Sequence, residues 1–282
     1  PEPIVFLHGG PGTPDMAGDV RYFGKLAEDG YDVYVYDELG SGRSSRLQNP
    51  EGYSVRRDVA DLEAIRQEIG AERMILIGHS YGGSLLAHYL VHYGEHVFKA
   101  VFSSPGALHP DDHSDADMVN RLSAEEKLKL YGRLLYPRSL LAYLLLQVNP
   151  QAAHAFAGDA EMDAQFDRVY ALSEKALHAE GKHYPYPVNG LGFYANQFPQ
   201  SRTAEKPDDI RKPLEAWDGP ALILKGSDDY LSWSSAADYR TALEHSRLLY
   251  LEHAGHNVYQ DQPELVMAAI RAFLSDRPLP TE

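Results

Sequence analysis

Apolar residues along the chain follow two alternating rhythms. Short unbroken runs, rich in Val, Ile, Leu and aromatic residues, occur at Ile4–Leu7, Asp32–Tyr36, Met74–Ile77, Ala100–Ser103, Ala221–Leu224 and Leu248–Leu251. Runs this short that are apolar on both faces predict buried strands of a parallel sheet. Between several of them the period lengthens to that of an amphipathic helix. The clearest spans about Val55 to Ile69, with Val55, Val59, Leu62, Ile65 and Ile69 on one face and Arg, Asp and Glu on the other. Gly70 supplies its stop, because glycine takes up the left-handed backbone that ends a helix. Leu85–Tyr93 and Leu265–Phe273 have the same pattern, the latter behind Pro263. Strand alternating with helix predicts an α/β fold, with a mostly parallel sheet flanked by helices.

The alternation fails between about Leu108 and Pro213. There the pattern is helical, rich in Leu and Tyr, with breaks at Tyr184-Pro185-Tyr186-Pro187 and Asn189-Gly190. Strand rhythm resumes at Ala221. This predicts a helical cap inserted into one core: residues 1–106 and 214–282 form the two parts of the core, and 107–213 the cap. No internal repeat or low-complexity tract is present in the sequence.

Composition narrows the chemistry. Across 282 residues, 26 Lys and Arg face 41 Asp and Glu, a formal charge of −15. Phosphate neutralisation needs clustered cations, so nucleic acid is not the expected partner, nor is an anionic membrane surface. With 0 Cys there is no disulfide, thiolate metal site or cysteine nucleophile. The densest apolar stretch, Leu140–Val148, is far shorter than the roughly 20 residues of a membrane helix. The chain opens Pro1-Glu2-Pro3 and enters a strand at once, with no Met and no signal-like segment, so a leading segment is expected to be missing from this sequence. The expected location is the cytoplasm.

The strongest chemical signal is Gly78-His79-Ser80-Tyr81-Gly82-Gly83, a G-x-S-x-G motif after an apolar strand and before a helix. A sharp strand-to-helix turn there strains the serine backbone and lifts its hydroxyl out of the sheet. Glycines flank the serine because side chains would clash, and the helix N-terminus favours a developing anion. A second glycine-rich loop, His8-Gly9-Gly10-Pro11-Gly12, follows the first strand. It offers the Gly10 amide as an oxyanion donor beside that of Tyr81. His8 is expected to be a structural hydrogen-bonding residue. Asp37, in Asp37-Glu38-Leu39-Gly40-Ser41-Gly42-Arg43-Ser44, precedes Ser80 and so breaks the Ser…Asp…His order of this arrangement; its expected role is structural. Two acids, Asp228 and Asp229, and two histidines, His253 and His256, follow the later strands. Asp229 and His256 are preferred, with Asp228 and His253 as alternatives. The stretch His109–Asp117 looks like a metal cluster but fits no metal-loop spacing, and a solvated acidic entry to the cap is expected instead. No dinucleotide or phosphate-loop fingerprint is present, and neither cofactor nor metal is expected.

Together, HGGPG, D-x-x-G-x-G-x-S and G-x-S-Y-G-G resemble the α/β-hydrolases, and within them the proline iminopeptidase family of serine peptidases. The resemblance runs from His8 to His256. It implies a Ser80–Asp229–His256 triad, an oxyanion hole from Gly10 and Tyr81, a helical cap, no cofactor, and removal of an N-terminal residue from small peptides or amides. It also implies a strand hairpin before HGGPG. Expected substrate contacts are Gly9, Tyr194 and Tyr230. Three positions depart from the family pattern. Leu39 stands where members carry Arg. Gly190-Leu191-Gly192-Phe193 lacks the glutamate of the G-P-x-E-F segment that holds the substrate's amino group. Tyr230 stands where some relatives carry Glu after the triad Asp. A cap carboxylate such as Glu161, Glu174 or Glu180 would have to hold the amino group instead. The reading is therefore a serine hydrolase acting on a small molecule or short peptide. An esterase or lactonase, and a ligand-binding receptor with the same fold, are the alternatives.

Overall fold

The computed structural model describes residues 1–109, 118–184 and 188–281. In chain order the elements are β1 (Ile4–Leu7), α1 (Met16–Phe23), β2 (Val33–Val35), α2 (Val55–Ile69), β3 (Met74–His79), α3 (Tyr81–Tyr93) and β4 (Val97–Ser103). Next come α4 (Ala124–Leu134), α5 (Pro137–Leu146), α6 (Pro150–Phe156), α7 (Asp159–Ser173), α8 (Phe193–Gln197) and α9 (Arg211–Leu214). The chain closes with β5 (Ala221–Gly226), α10 (Trp233–Ala242), β6 (Ser246–Leu251), α11 (Val258–Asp261) and α12 (Pro263–Leu274). Among the described residues no strand lies between β4 and β5, so this insertion is helical. The acidic stretch at its entry falls on 110–117, and the Pro-rich break on 185–187; both lie outside the described residues.

The six strands form one parallel sheet in the order β2-β1-β3-β4-β5-β6. Its central strands β1, β3 and β5 are buried at every position, which explains their unbroken apolar sequence. Each fully buried Leu or Ile contributes about 1.5–3 kcal/mol. One face is covered by α2, α3 and α10, through residues such as Leu62, Leu86, Tyr89 and Tyr239. The other is covered by α1 and α12, where Phe6 stacks on Phe23 at 4.0 Å and packs with Ile270 and Phe273. The chain winds outward in opposite directions from β1 and β3. A crevice therefore opens beyond their carboxyl ends, where such sheets bind ligands.

Helix α2 follows its sequence pattern: Ser54 caps it, its side chain accepting from the Arg57 N–H at 3.2 Å, and Gly70 closes it at φ +72°. Strand β4 starts earlier than its apolar run because it contains a lysine. Lys99 is buried, and its ammonium donates to the Phe273 and Leu274 carbonyls at the end of α12, and to Asp276.

Candidate active site

Ser80 joins β3 to α3 with φ +53° and ψ −117°, a strained conformation for a side chain-bearing residue. Its backbone is held on both sides. The Ser80 N–H donates to the Ser103 carbonyl, and the Ser80 carbonyl accepts from Gly83 and Gly106, each at 2.9 Å. The surrounding glycines are required by space. A Cβ on Gly78 would lie 2.3 Å from the Gly82 carbonyl oxygen, and one on Gly82 would lie 2.2 Å from that of Leu7. Tyr81 is the first residue of α3, where an N–H has no partner within the helix. Its phenol points away, donating to Asp58 Oδ2 at 2.5 Å.

The HGGPG loop lies alongside, because β1 and β3 are neighbours in the sheet. Gly9 sits so close that a Cβ there would be 3.3 Å from that of Ser80. The loop is anchored through Glu38, the neighbour of Asp37 in the turn after β2. The Glu38 N–H donates to His8 Nε2 at 3.0 Å, and Glu38 Oε2 accepts from the Gly12 N–H at 3.2 Å. His8 is thereby fixed with its proton on Nδ1, which donates to the Gly9 carbonyl. Burial lowers its pKa to about 4, so it stays neutral. Asp37 accepts from the Arg43 N–H at 2.9 Å and shapes its own turn.

On the far side, Asp229 and His256 meet. His256 Nδ1 is 2.8 Å from Asp229 Oδ1, which also accepts from the Leu231 N–H. Asp229 Oδ2 accepts from the ammonium of Lys225 at 2.7 Å. Burial pushes Asp229 up, but His256 and Lys225 outweigh it and hold the carboxyl well below the usual range. With Nδ1 engaged, Nε2 is the ring nitrogen left for a reacting group. His79 packs against His256 at 5.0 Å, with its Nε2 3.1 Å from Asn257 Oδ1. Burial and the neighbouring His256 lower the His79 pKa to about 3, so His79 stays neutral. The alternatives lie elsewhere: His253 is exposed, and Asp228 makes its contacts through its backbone.

Ser80, Gly9, Gly10, Tyr230 and His256 line one cavity of about 1030 Å³ between sheet edge and cap. The Tyr230 ring lies 4.6 Å from that of His256. Tyr194 corrects an expectation. It is buried inside the cap against Phe193 and His154, with its hydroxyl on the Ala157 carbonyl, and is absent from the cavity wall. The Gly190–Phe193 stretch lacks a carboxylate because it docks backbone to backbone: Gly192 N–H on the Gly12 carbonyl, Gly190 carbonyl on the Gly42 N–H. Of the cap residues Glu161, Glu174 and Glu180, Glu174 lines the cavity, Glu161 pairs with Arg138 on the surface, and Glu180 is exposed. The core adds two further acids. Asp15 and Asp19 line the same wall from α1 and its cap, Asp19 accepting from the Tyr259 hydroxyl at 3.1 Å. Among the described residues no cluster of His, Cys, Asp and Glu is arranged to hold a metal, and no helix is long and apolar enough to cross a membrane.

A family model described as the alpha/beta hydrolase fold matches residues 2–263. A proline iminopeptidase of Clostridium botulinum is 33% identical over 284 residues, covering 97% of this chain and 90% of that protein. A (lyso)-N-acylphosphatidylethanolamine lipase of Mus musculus is 28% identical over 247 residues, covering 84% and 70%. An esterase from Exiguobacterium antarcticum superposes with a TM-score of 0.64 at 20% identity, covering 98% of this chain and 92% of the other, which speaks to the fold alone.

Proposed function

The chain belongs to the α/β-hydrolase fold family and is a serine hydrolase similar to proline iminopeptidases, and from that premise we propose that it removes an N-terminal residue from small peptides or amino-acid amides through an acyl-enzyme on Ser80. In this reading His256 Nε2 takes the Ser80 proton as Oγ attacks the carbonyl, and Asp229 holds the imidazole in its working tautomer. The Gly10 and Tyr81 amides receive the oxyanion. His256 returns the proton to the leaving amine, and water then releases the acyl group with His256 again as base.

One observation carries the substrate class. Asp15, Asp19, Asp37 and Glu174 line the cavity, with Arg43 the one Lys or Arg in that wall among the described residues. Burial raises Asp15, while burial and the charge of Asp15 together push Asp19 well above the usual carboxylate range. Glu174 is paired with His178, but Asp15 and Asp19 have, among the described residues, one cation acting on them, Arg21 on Asp15, and so suit a ligand that brings its own cation, as a free α-amine does. In the same cavity Met118, Phe166, Val169 and Leu177 offer apolar surface for a side chain.

Prolyl and alanyl p-nitroanilides, their N-acetylated forms and short p-nitrophenyl esters test this side by side. Turnover of the free-amine anilides, lost on acetylation and reduced at least ~10³-fold in Ser80→Ala, is expected. Ester turnover with no anilide turnover would replace the peptidase with an esterase using the same apolar wall.

A further inference from the structure

We propose that His178 is a positioning residue of this site: as an imidazolium clamped between Asp261 of the core and Glu174 of the cap, it keys the cap wall onto the loop that carries His256. The proposal rests on the reading of Ser80 and His256 as the reacting pair.

His178 follows the short 3₁₀ turn Glu174–Leu177 and is 2% exposed. Its Nδ1 is 2.7 Å from Asp261 Oδ1 and its Nε2 is 2.8 Å from Glu174 Oε1. Both partners are acceptors, and a neutral imidazole has one N–H, so only the cation satisfies both. Burial opposes that charge, but the hydrogen bonds to Asp261 and Glu174 outweigh it and raise the pKa to about 9.

The clamp reaches the reacting groups through backbone. Asp261 Oδ2 accepts from the Gly255 N–H, directly before His256, and from the Ala179 N–H, both at 2.7 Å. The Asn257 N–H, directly after His256, donates to the Leu177 carbonyl at 3.0 Å. Cap and loop are in such close contact that a Cβ on Gly255 would lie 2.5 Å from the His178 carbonyl carbon. From the cap, Arg121 donates to the His178 carbonyl at 2.9 Å and also to the carbonyl of Asp228, the neighbour of Asp229. The other charged groups around the clamp are Lys182, on the Asp261 carbonyl, and the exposed His183, 3.8 Å from Glu174. Glu174 and Leu177 themselves line the cavity. When His178 loses its proton, a buried carboxylate, Asp261, and a half-buried one, Glu174, face each other with no cation between them. The cap wall then parts from the His256 loop.

The test uses an uncharged alkyl fluorophosphonate, which reads Ser80 reactivity without engaging an amine subsite. Its saturation kinetics separate binding from the chemical step. For the wild type, labelling efficiency is expected to fall about tenfold between pH 8 and 10, with its half-point near pH 9. His178→Gln is expected to weaken the binding constant about tenfold at pH 7, to leave the chemical rate within about threefold, and to abolish the inflection. Glu174→Gln removes one of the two carboxylates and is expected to move the inflection down by at least one pH unit, a result that stands even if His178→Gln does not fold. An inflection unmoved by Glu174→Gln, or wild-type binding and pH profile in folded His178→Gln, overturns the proposal. Labelling that persists in Ser80→Ala overturns instead the reading on which it rests.

Discussion

Asp229 accepts three hydrogen bonds on its two oxygens, from His256, Leu231 and Lys225. Its neighbour Asp228 is held through its backbone. The two adjacent acids therefore predict opposite outcomes. Asp229→Asn is expected to lower kcat about 10³–10⁴-fold with KM little changed, because an amide misdirects the imidazole tautomer. Asp228→Asn is expected to stay within about twofold. Steady-state kinetics on any substrate the wild type turns over decides between them, and equal losses would remove Asp229 from its assigned place. The sequence alone left this choice open, since both acids occupy the same loop. The deciding signal was nonetheless present in Lys225, a lysine ending the apolar run Ala221–Leu224. A cation inside a strand buried on both faces needs an anion within reach, and Asp229, four residues on, supplies it. Glu38 and His178 left no comparable mark. Glu38 binds Gly12, 26 residues away, and His178 binds Asp261, 83 residues away, as well as Glu174 four residues back; only the fold brings the distant partners together.

Strands and helices are legible where one chemical demand acts on each position. Helix α2 matches its amphipathic stripe because one face meets the sheet and the other meets water. Helix α3 reads poorly at its start, since Tyr81-Gly82-Gly83 lacks both helix propensity and an apolar stripe. Those glycines are set by the turn and not by the helix: Gly82 lets the Leu7 backbone, and Gly83 the Pro105 ring, approach where a side chain would stand. Gly82→Ala puts a methyl 2.2 Å from the Leu7 carbonyl oxygen, and backbone on both sides must shift. The shift would displace α3, with the Tyr81 amide at its tip, from the HGGPG loop. Activity is expected to fall at least ~10²-fold, as for loss of one oxyanion donor. The melting temperature should also fall. An alanine variant with wild-type turnover would show that the two loops need not hold this distance.

At the scale of the whole molecule, the −15 charge is distributed unevenly, and its interior part governs how stability responds to pH. Most carboxylates are on the surface, but Asp58 and Glu38 face each other beneath the HGGPG loop, near the Tyr81 phenol. Burial raises Asp58 to about 7, outweighing the hydrogen bond from Tyr81, and pushes Glu38 well above the usual range, with the charge of Asp58 adding to it. A carboxyl whose folded pKa is raised favours the fold fully below its unfolded value near 4. That contribution is lost as pH rises toward the folded value. Asp261 and Asp229 act in the opposite sense: held below the usual range, they favour the fold above pH about 4 and lose that contribution as pH falls through their folded values. The two trends cross on the acid side of neutrality, so the melting temperature is expected to peak near pH 5 and to decline by pH 7.5. Asp58→Asn tests the cause directly. The amide oxygen still accepts from Tyr81, but no charge has to be buried. The variant should therefore melt about 2–5 °C above the wild type at pH 7.5 and match it near pH 4. A wild-type profile that is flat from pH 4 to 8, or an Asp58→Asn variant less stable at pH 7.5, would mean that the ionised pair is compensated within the fold and that the acidity of this chain is a property of its surface alone.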